Sequence, residues 1–261
     1  MTNPCLEVVK ALGLVTLQGR ASYDRLHEGF PPSGPLVPAL LDRANRRLGN
    51  PAGATGIEVC GEIIVRALRE VQLATPHEEH ALAAGEQLAI TSGAQRVTYV
   101  AIASGVHAPH GLSYASLGEL VRTGDRIDQD VVRELARGDA TAADSLEAVE
   151  PIVRVIPGPD LDAFAPGALE HLTSVAWRIS PTSNRVGTRL EGAAIARRAE
   201  YVEQSRPMAL GAIEVPRDGA PIVLGPEHPT TGGYPLLAVI ASESFDAFHA
   251  VRLGGSVRFR V

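Results

Sequence analysis

Cysteine is nearly absent: Cys5 and Cys60 are the only two in 261 residues. They lie far apart and in no metal-ligating spacing, so both thiols are expected to stay reduced, as in a cytoplasmic protein. Aromatic residues are also scarce, at 4% of the chain with Trp177 the single tryptophan. That leaves the core to Val, Ile, Leu and Ala and favours strands rich in β-branched residues. No excess of positive charge exists: 24 Lys and Arg stand against 30 Asp and Glu, for a formal net charge of -6. This removes the electrostatic footprint of a protein that grips nucleic acid or an anionic membrane surface. No apolar run approaches the roughly 18 residues of a membrane-spanning helix. Met1–Gly13 lacks a charged region followed by an apolar core and a small-residue cleavage site, so a soluble, cytoplasmic chain is expected. Neither a phosphate loop of the Gly-x-x-x-x-Gly-Lys type nor a Rossmann glycine fingerprint occurs.

What is present is turn chemistry. The 26 glycines and 19 prolines are spread along the chain, marking frequent reversals between short strands. Leu6–Ala11 and Leu14–Gln18 read as two strands around Gly13, and the passage 19–34 is irregular. Leu40, Leu41, Ala44 and Leu48 fall at helical spacing within a helix predicted over Leu36–Leu48, stopped by Gly49-Asn50-Pro51. Strands follow at Ile57–Val59, Ile63–Leu68, Gln87–Thr91 and Arg96–Ala103. His77 and His80 flank Glu78 and Glu79 without the His-Glu-x-x-His spacing of a zinc helix, and Thr75-Pro76 ahead of them reads as a turn, so no metal site is expected. His107 and His110 read as loop residues. The acidic stretch Asp128–Glu150 reads as a linker between a first domain, 1–135, and a second, 150–261.

In the second domain, Phe164–Leu172 reads as a short helix, and Val175–Ser180 as a strand burying Trp177 and Ile179 with Arg178 outward. Pro235–Ala241 is apolar, Phe245–Val251 is a short helix and Val257–Val261 a closing strand. Ile213–Val215 and Pro221–Leu224 form a hairpin about Pro216-Arg217-Asp218-Gly219. Many short strands with few helices argue for β-barrel architecture in both halves.

Two segments carry more than sheet-building needs: GAIEVPRDGAPIVLGPEHPTTGGYP, residues 211–235, and SNRVGTRLEG, residues 183–192. A Gly-Gly pair between strands is by itself only a turn. Yet Thr230, Thr231, Gly232, Gly233 and Tyr234 crowd hydroxyls, unhindered backbone and a phenol into five residues, a composition suited to anion contacts. Arg185 and Arg189 offer forked donors matched to a carboxylate or phosphate. From spacing alone they fit a solvated strand edge equally well.

These segments resemble the signature of the KipA family, the C component of 5-oxoprolinase, which is similar to allophanate hydrolase subunit 2 and to the carboxyltransferase domain of urea carboxylase. The resemblance runs over about 110 residues from Ile152 to the end. It implies two cyclophilin-like barrels, and a subunit of an ATP-dependent enzyme that opens 5-oxoproline to glutamate. It also implies a KipI-like partner, the B component of that enzyme, and a separate A component, with ATP held mainly by or with a partner. On that basis Arg185, Arg189, Glu227, Thr230, Thr231 and Tyr234 are the catalytic candidates. Arg20, Ser33, Asn184, Glu214, Gly232 and Gly233 are the substrate-binding candidates, with Glu214 accepting from an amide N–H.

The N-terminal half keeps Gln18, Gly19, Arg20, Ser33, Gly34 and the run Ala44-Asn45-Arg46 to Leu48-Gly49-Asn50 of the family pattern. It departs at the position after Gln18, where an aspartate is missing, at Ser22 in place of glycine, and at Val37, where the family places an acid. That half is therefore expected to supply less acid–base chemistry. Glu214 and Glu227 stand where the family usually has glutamine and aspartate. The alternatives are a regulatory KipA-type protein that antagonises a KipI-like inhibitor, which the eroded N-terminal motifs favour, and an allophanate-handling or carboxyltransferase subunit.

Overall fold

The computed structural model describes residues 4–106, 119–129 and 150–261. His107, His110 and nearly all of the acidic linker stretch lie outside the described residues. The chain is mainly β, with three short α-helices among the described residues and two barrel-like halves. It divides into two compact units, Met1–Ser22 with Ser33–Asp144, and Tyr23–Pro32 with Ser145–Val261.

The first unit is built on β1 (Pro4–Gln18), α1 (Pro38–Arg47), β2 (Gly56–Ala67), β3 (Val71–Ala74), β4 (Glu79–Leu82), β5 (Gln87–Thr91), β6 (Thr98–Ile102), β7 (Glu119–Leu120) and β8 (Arg126–Asp128). The strands form an eight-stranded sheet whose main path is β4-β3-β6-β2-β1-β7, with β5 on β2 and β8 on β1. The two strands expected around Gly13 are one strand, and those expected on either side of Gly61 are likewise one. Gly13 faces Gly61 across the ladder. Both hold positive φ, and a Cβ on either would overlap a carbonyl oxygen of the opposite strand, so the glycines let the long ribbon pass where a turn was read. His80 sits on β4 opposite Leu73, and His77 in the turn before it.

Helix α1 begins at Pro38, where the fixed φ suits the first turn and the missing N–H costs nothing, and buries Leu40, Leu41, Ala44 and Asn45. Its end is fastened by side-chain amides. Asn50 Nδ2 donates to Asn45 Oδ1 at 3.0 Å and to the Ile102 carbonyl at 2.8 Å, and Asn45 Nδ2 donates to the Ala54 carbonyl at 2.8 Å. The Ala44–Asn50 run is thus a tie between helix and sheet.

The second unit contains β9 (Ile152–Pro157), α2 (Ala168–Ser174), β10 (Ala176–Ile179), β11 (Gly187–Glu191), β12 (Arg206–Pro207), β13 (Ala212–Glu214), β14 (Ile222–Leu224), β15 (Thr231–Gly232), β16 (Leu236–Ile240), α3 (Phe245–Ala250) and β17 (Ser256–Arg260). Seven strands close into a barrel in the order β10-β11-β14-β13-β16-β9-β17, and β12 pairs with β15 as a separate ribbon. The hairpin about Pro216–Gly219 is present, with Ile213 opposite Val223 and Glu214 opposite Ile222. Helix α2 starts at Ala168 rather than Phe164, because Gly167 before it holds a left-handed φ of 85°. Trp177 is fully buried and donates from Nε1 to the Leu172 carbonyl at 2.9 Å, satisfying its one polar atom inside an apolar core.

Candidate functional site

The barrel separates its residues by the two-residue alternation of strands. Thr188, Val223, Ile213 and Ala238 are directly paired across β11, β14, β13 and β16 and point into the buried interior. The neighbouring row, Arg189, Ile222, Glu214 and Leu236, therefore occupies the outer face. Side chains opposite one another on adjacent strands share a face, which brings Arg189 and Glu214 together on either side of Ile222. Gly187 makes this row possible, because a Cβ there would lie 2.7 Å from Ile222 Cγ2.

The outer face is not bare. Met208 lies with Ala212, Leu224 and Leu236 in an apolar cluster, which makes a greasy floor beside Glu214. Glu214 is half-buried, and its carboxyl takes part in no hydrogen bond among the described residues. Burial pushes its pKa up to about 7, the Arg189 charge offsetting only part of that rise. The Arg189 side chain is exposed and likewise makes no hydrogen bond among the described residues.

Thr230 to Gly233 form the rim. They do not make an open glycine loop: Thr231 and Gly232 pair with Pro207 and Arg206 as β15 on β12, and Met208 N–H donates to the Thr230 carbonyl at 3.0 Å. Neither Gly232 nor Gly233 holds a positive φ. Gly232 is small because Met208 fills its space, a Cβ there falling 2.9 Å from the Met208 sulfur. Thr231 is exposed, Thr230 and Gly233 half-buried, and Tyr234 is 40% exposed.

The other candidates are engaged internally. Arg185 is 3% exposed and donates from Nε to Glu227 Oε1 at 2.7 Å. The Arg185 carbonyl also accepts the Glu227 N–H at 3.1 Å. Asn184 is exposed and accepts the N–H groups of Val186 and Gly187 at 2.9 and 3.1 Å on Oδ1, so it shapes the turn into β11.

In the first unit, Gly34, next to Ser33, packs against Ala21, which follows the exposed Arg20: a Cβ at Gly34 would stand 3.0 Å from the Ala21 Cβ. Ser33 has φ 55°, in the left-handed region, and its hydroxyl is buried with no hydrogen-bond partner among the described residues.

Sequence reasoning missed the residues that hold these segments in place. Glu58, 0% exposed, accepts the Leu36 N–H at 2.8 Å and the Tyr99 hydroxyl at 2.7 Å, while Tyr99 accepts the Val37 N–H at 2.9 Å. A carboxylate set between the β-branched apolar residues Ile57 and Val59 was the available signal. Asp160 accepts Arg206 Nη1 on Oδ1 and the Leu236 N–H on Oδ2, both at 2.8 Å. Arg206 Nη2 donates to the Tyr201 hydroxyl at 2.9 Å, and its bond to Asp160 holds the guanidinium above its ordinary range. Asp160 thus ties β12 to the start of β16, the two sides of the Thr230–Tyr234 segment.

Residues 28–261 match the family described as carboxyltransferase domain, subdomain A and B. The chain belongs to that family. As a carboxyltransferase-domain protein it is 27% identical to the C component of 5-oxoprolinase from Escherichia coli K12, over 97% of this chain and 90% of the relative. Among solved structures it superposes on TTHA0988 with a TM-score of 0.83 at 25% identity, covering 99% of this chain and 55% of that one. It superposes on Kluyveromyces lactis urea carboxylase with a TM-score of 0.84 at 21% identity, covering 99% of this chain and 27% of that one. This chain therefore spans about half of TTHA0988 and about a quarter of the urea carboxylase.

Proposed function

We propose that the chain is the substrate-binding subunit of a 5-oxoprolinase-type complex, in which 5-oxoproline is hydrolysed to glutamate at the expense of ATP. The observation that supports this reading most is the Arg189–Glu214 pair, two polar groups without hydrogen-bond partners among the described residues, set beside an apolar floor. A guanidinium is matched to the substrate carboxylate. The adjacent carboxyl is matched to the ring N–H, and the apolar floor to the ring methylenes. Arg185 and Glu227, each engaged by the other, serve to shape the loops around that pair.

Opening a lactam requires its oxygen to be made a better acceptor of electrons and water to be placed at the carbon. In this reading the Thr230 and Thr231 hydroxyls face the developing charge, and the exposed Tyr234 phenol handles a proton. Asn184, Gly232 and Gly233 act through the shape of the rim, and Arg20 and Ser33, in the first unit, are assigned no step. The chain carries no phosphate loop, so the nucleotide is assigned to a KipI-like partner, the B component, with the A component completing the activity.

The test is co-purification with the partner subunits followed by an ATP-dependent glutamate assay on 5-oxoproline. Glutamate formed only with all components, and lost in Arg189→Ala, supports the reading. Partner binding without turnover supports the regulatory alternative. Transfer of a carboxyl group to an amide acceptor, the second reading that the family match favours, predicts turnover dependent on a carboxyl donor instead.

A further inference from the structure

The protein groups that pack against the half-buried Glu214 are mostly apolar and cannot stabilise its charge. On its own strand Ala212 shares its face; β14 presents Ile222, β16 presents Leu236, and Met208 packs beside them. The charged groups nearby are few. Arg189 on β11 reaches Glu214 electrostatically across Ile222. Arg206 on β12 is taken up by Asp160 and Tyr201. In the turn that follows, Arg217 lies 3.8 Å from Glu203, and Asp218 accepts the Ala220 N–H at 3.1 Å. No N–H or O–H donates to the Glu214 carboxyl among the described residues. An ionised carboxylate in such a place lacks the hydrogen bonds that normally offset its desolvation.

We infer that Glu214 meets its ligand as the neutral acid and pairs with the N–H and C=O edge of a cyclic amide through two parallel hydrogen bonds, while Arg189 holds a carboxylate on the same molecule. This rests on the reading of Arg189 and Glu214 as the substrate-binding pair. A protonated carboxyl has one donor and one acceptor side by side. A ring amide is held cis, so its N–H and carbonyl oxygen also point the same way, and the two edges are complementary. An open-chain trans amide directs these groups oppositely and can satisfy only one of them. An ionised carboxylate would accept from the N–H and repel the carbonyl oxygen. The raised pKa of about 7 places the required proton within reach near neutrality. The ligand class is therefore a five- or six-membered lactam bearing a carboxylate, and the acid proton on the lactam oxygen also draws electrons from the carbon that water must attack.

The experiment is calorimetric binding of 5-oxoproline to the full chain, alone and in the partner complex, from pH 6 to 8.5 in buffers of differing ionisation enthalpy. N-methyl-5-oxoproline and proline serve as probes lacking the N–H and the carbonyl. In parallel, carbon-13 chemical shifts of the glutamate carboxyls follow Glu214 in the free chain. The expected result is affinity falling about tenfold per pH unit above 7, with uptake of nearly one proton on binding at high pH. Both probes should bind at least tenfold more weakly than 5-oxoproline, and Glu214→Gln should abolish the pH dependence and the proton uptake. Affinity that is flat with pH, or a Glu214→Gln variant that loses 5-oxoproline at every pH while staying folded, would overturn the inference. So would a Glu214 carboxyl that titrates as an ordinary carboxylate, whether or not 5-oxoproline binds. A carboxyl that titrates near neutrality in a chain and complex that never bind 5-oxoproline overturns the substrate reading, and with it the lactam assigned here.

Discussion

Arg185 and Glu227 form an ion pair with 2.7 Å between Nε and Oε1, the side chains 3% and 11% exposed. The residues are 42 positions apart, yet their backbones also bond, the Glu227 N–H to the Arg185 carbonyl. Removing one member of a buried pair takes this ion-pair contact from the other charge, at a cost of about 3–5 kcal/mol. Arg185→Ala is therefore expected to lose stability on that scale in urea titration. Loss of activity in that variant would then report unfolding of the loops, whereas Arg189→Ala, on the exposed outer face, should keep the wild-type midpoint.

Glu214 makes stability depend on pH in an uncommon direction for a carboxyl. Its folded pKa is raised from 4.5 to about 7, so the folded state binds more protons than the unfolded state across that window. Its contribution is fully present below about pH 4.5 and is lost as pH rises to about 7. The effect is at most about 3 kcal/mol and is lowered by partial solvent contact. Glu214→Gln should remove this slope, which denaturant midpoints at pH 5, 6, 7 and 8 would show as a difference growing with pH in favour of the variant.

Ser33 and Tyr99 should respond oppositely to loss of a hydroxyl. The Ser33 hydroxyl is buried without a partner among the described residues, so Ser33→Ala is expected within about 0.5 kcal/mol of wild type or more stable. Tyr99 bridges Glu58 and the Val37 N–H, and Tyr99→Phe leaves both without that hydroxyl, at about 1–3 kcal/mol. Equal effects in thermal melts would refute this account of the Ser33–Val37 segment.

Two glycines of the second unit separate rigid from yielding neighbours. A Cβ at Gly225 would overlap the Arg185 carbonyl oxygen, which is backbone, whereas one at Gly232 meets the Met208 side chain at 2.9 Å. Gly225→Ala should cost about 3 kcal/mol or more, and Gly232→Ala about 1 kcal/mol, because a thioether can rotate away. Chemical denaturation of the two variants measures the difference.

Alternation and turn chemistry are local, and the chain announced them. The Pro216–Gly219 hairpin, the inward Trp177 and Ile179 with Arg178 outward, and the buried face of Leu40, Leu41 and Ala44 are all where their spacing puts them. Gly13 and Gly61 misled because a glycine inside a strand and a glycine ending one look the same until the opposite strand is known. The segments 183–192 and 211–235 were legible as a unit of composition, but their internal division was not. Arg185 and Arg189 have the same chemistry in sequence. Only closure of the barrel decided that one is buried against Glu227 while the other stands on the outer face near Glu214.

Sequence by itself determined the mainly β class, the Pro216–Gly219 reversal and the family, since these depend on neighbours along the chain and on motif content. Tertiary structure alone decided that Glu58 and Asp160 are clamps, that Gly232 makes room for Met208, and that Glu214 is driven toward its neutral form. Each of those follows from what lies across a ladder or beneath a side chain. Desolvation and partner geometry are properties of surroundings assembled from distant residues, and a linear string carries no measure of them.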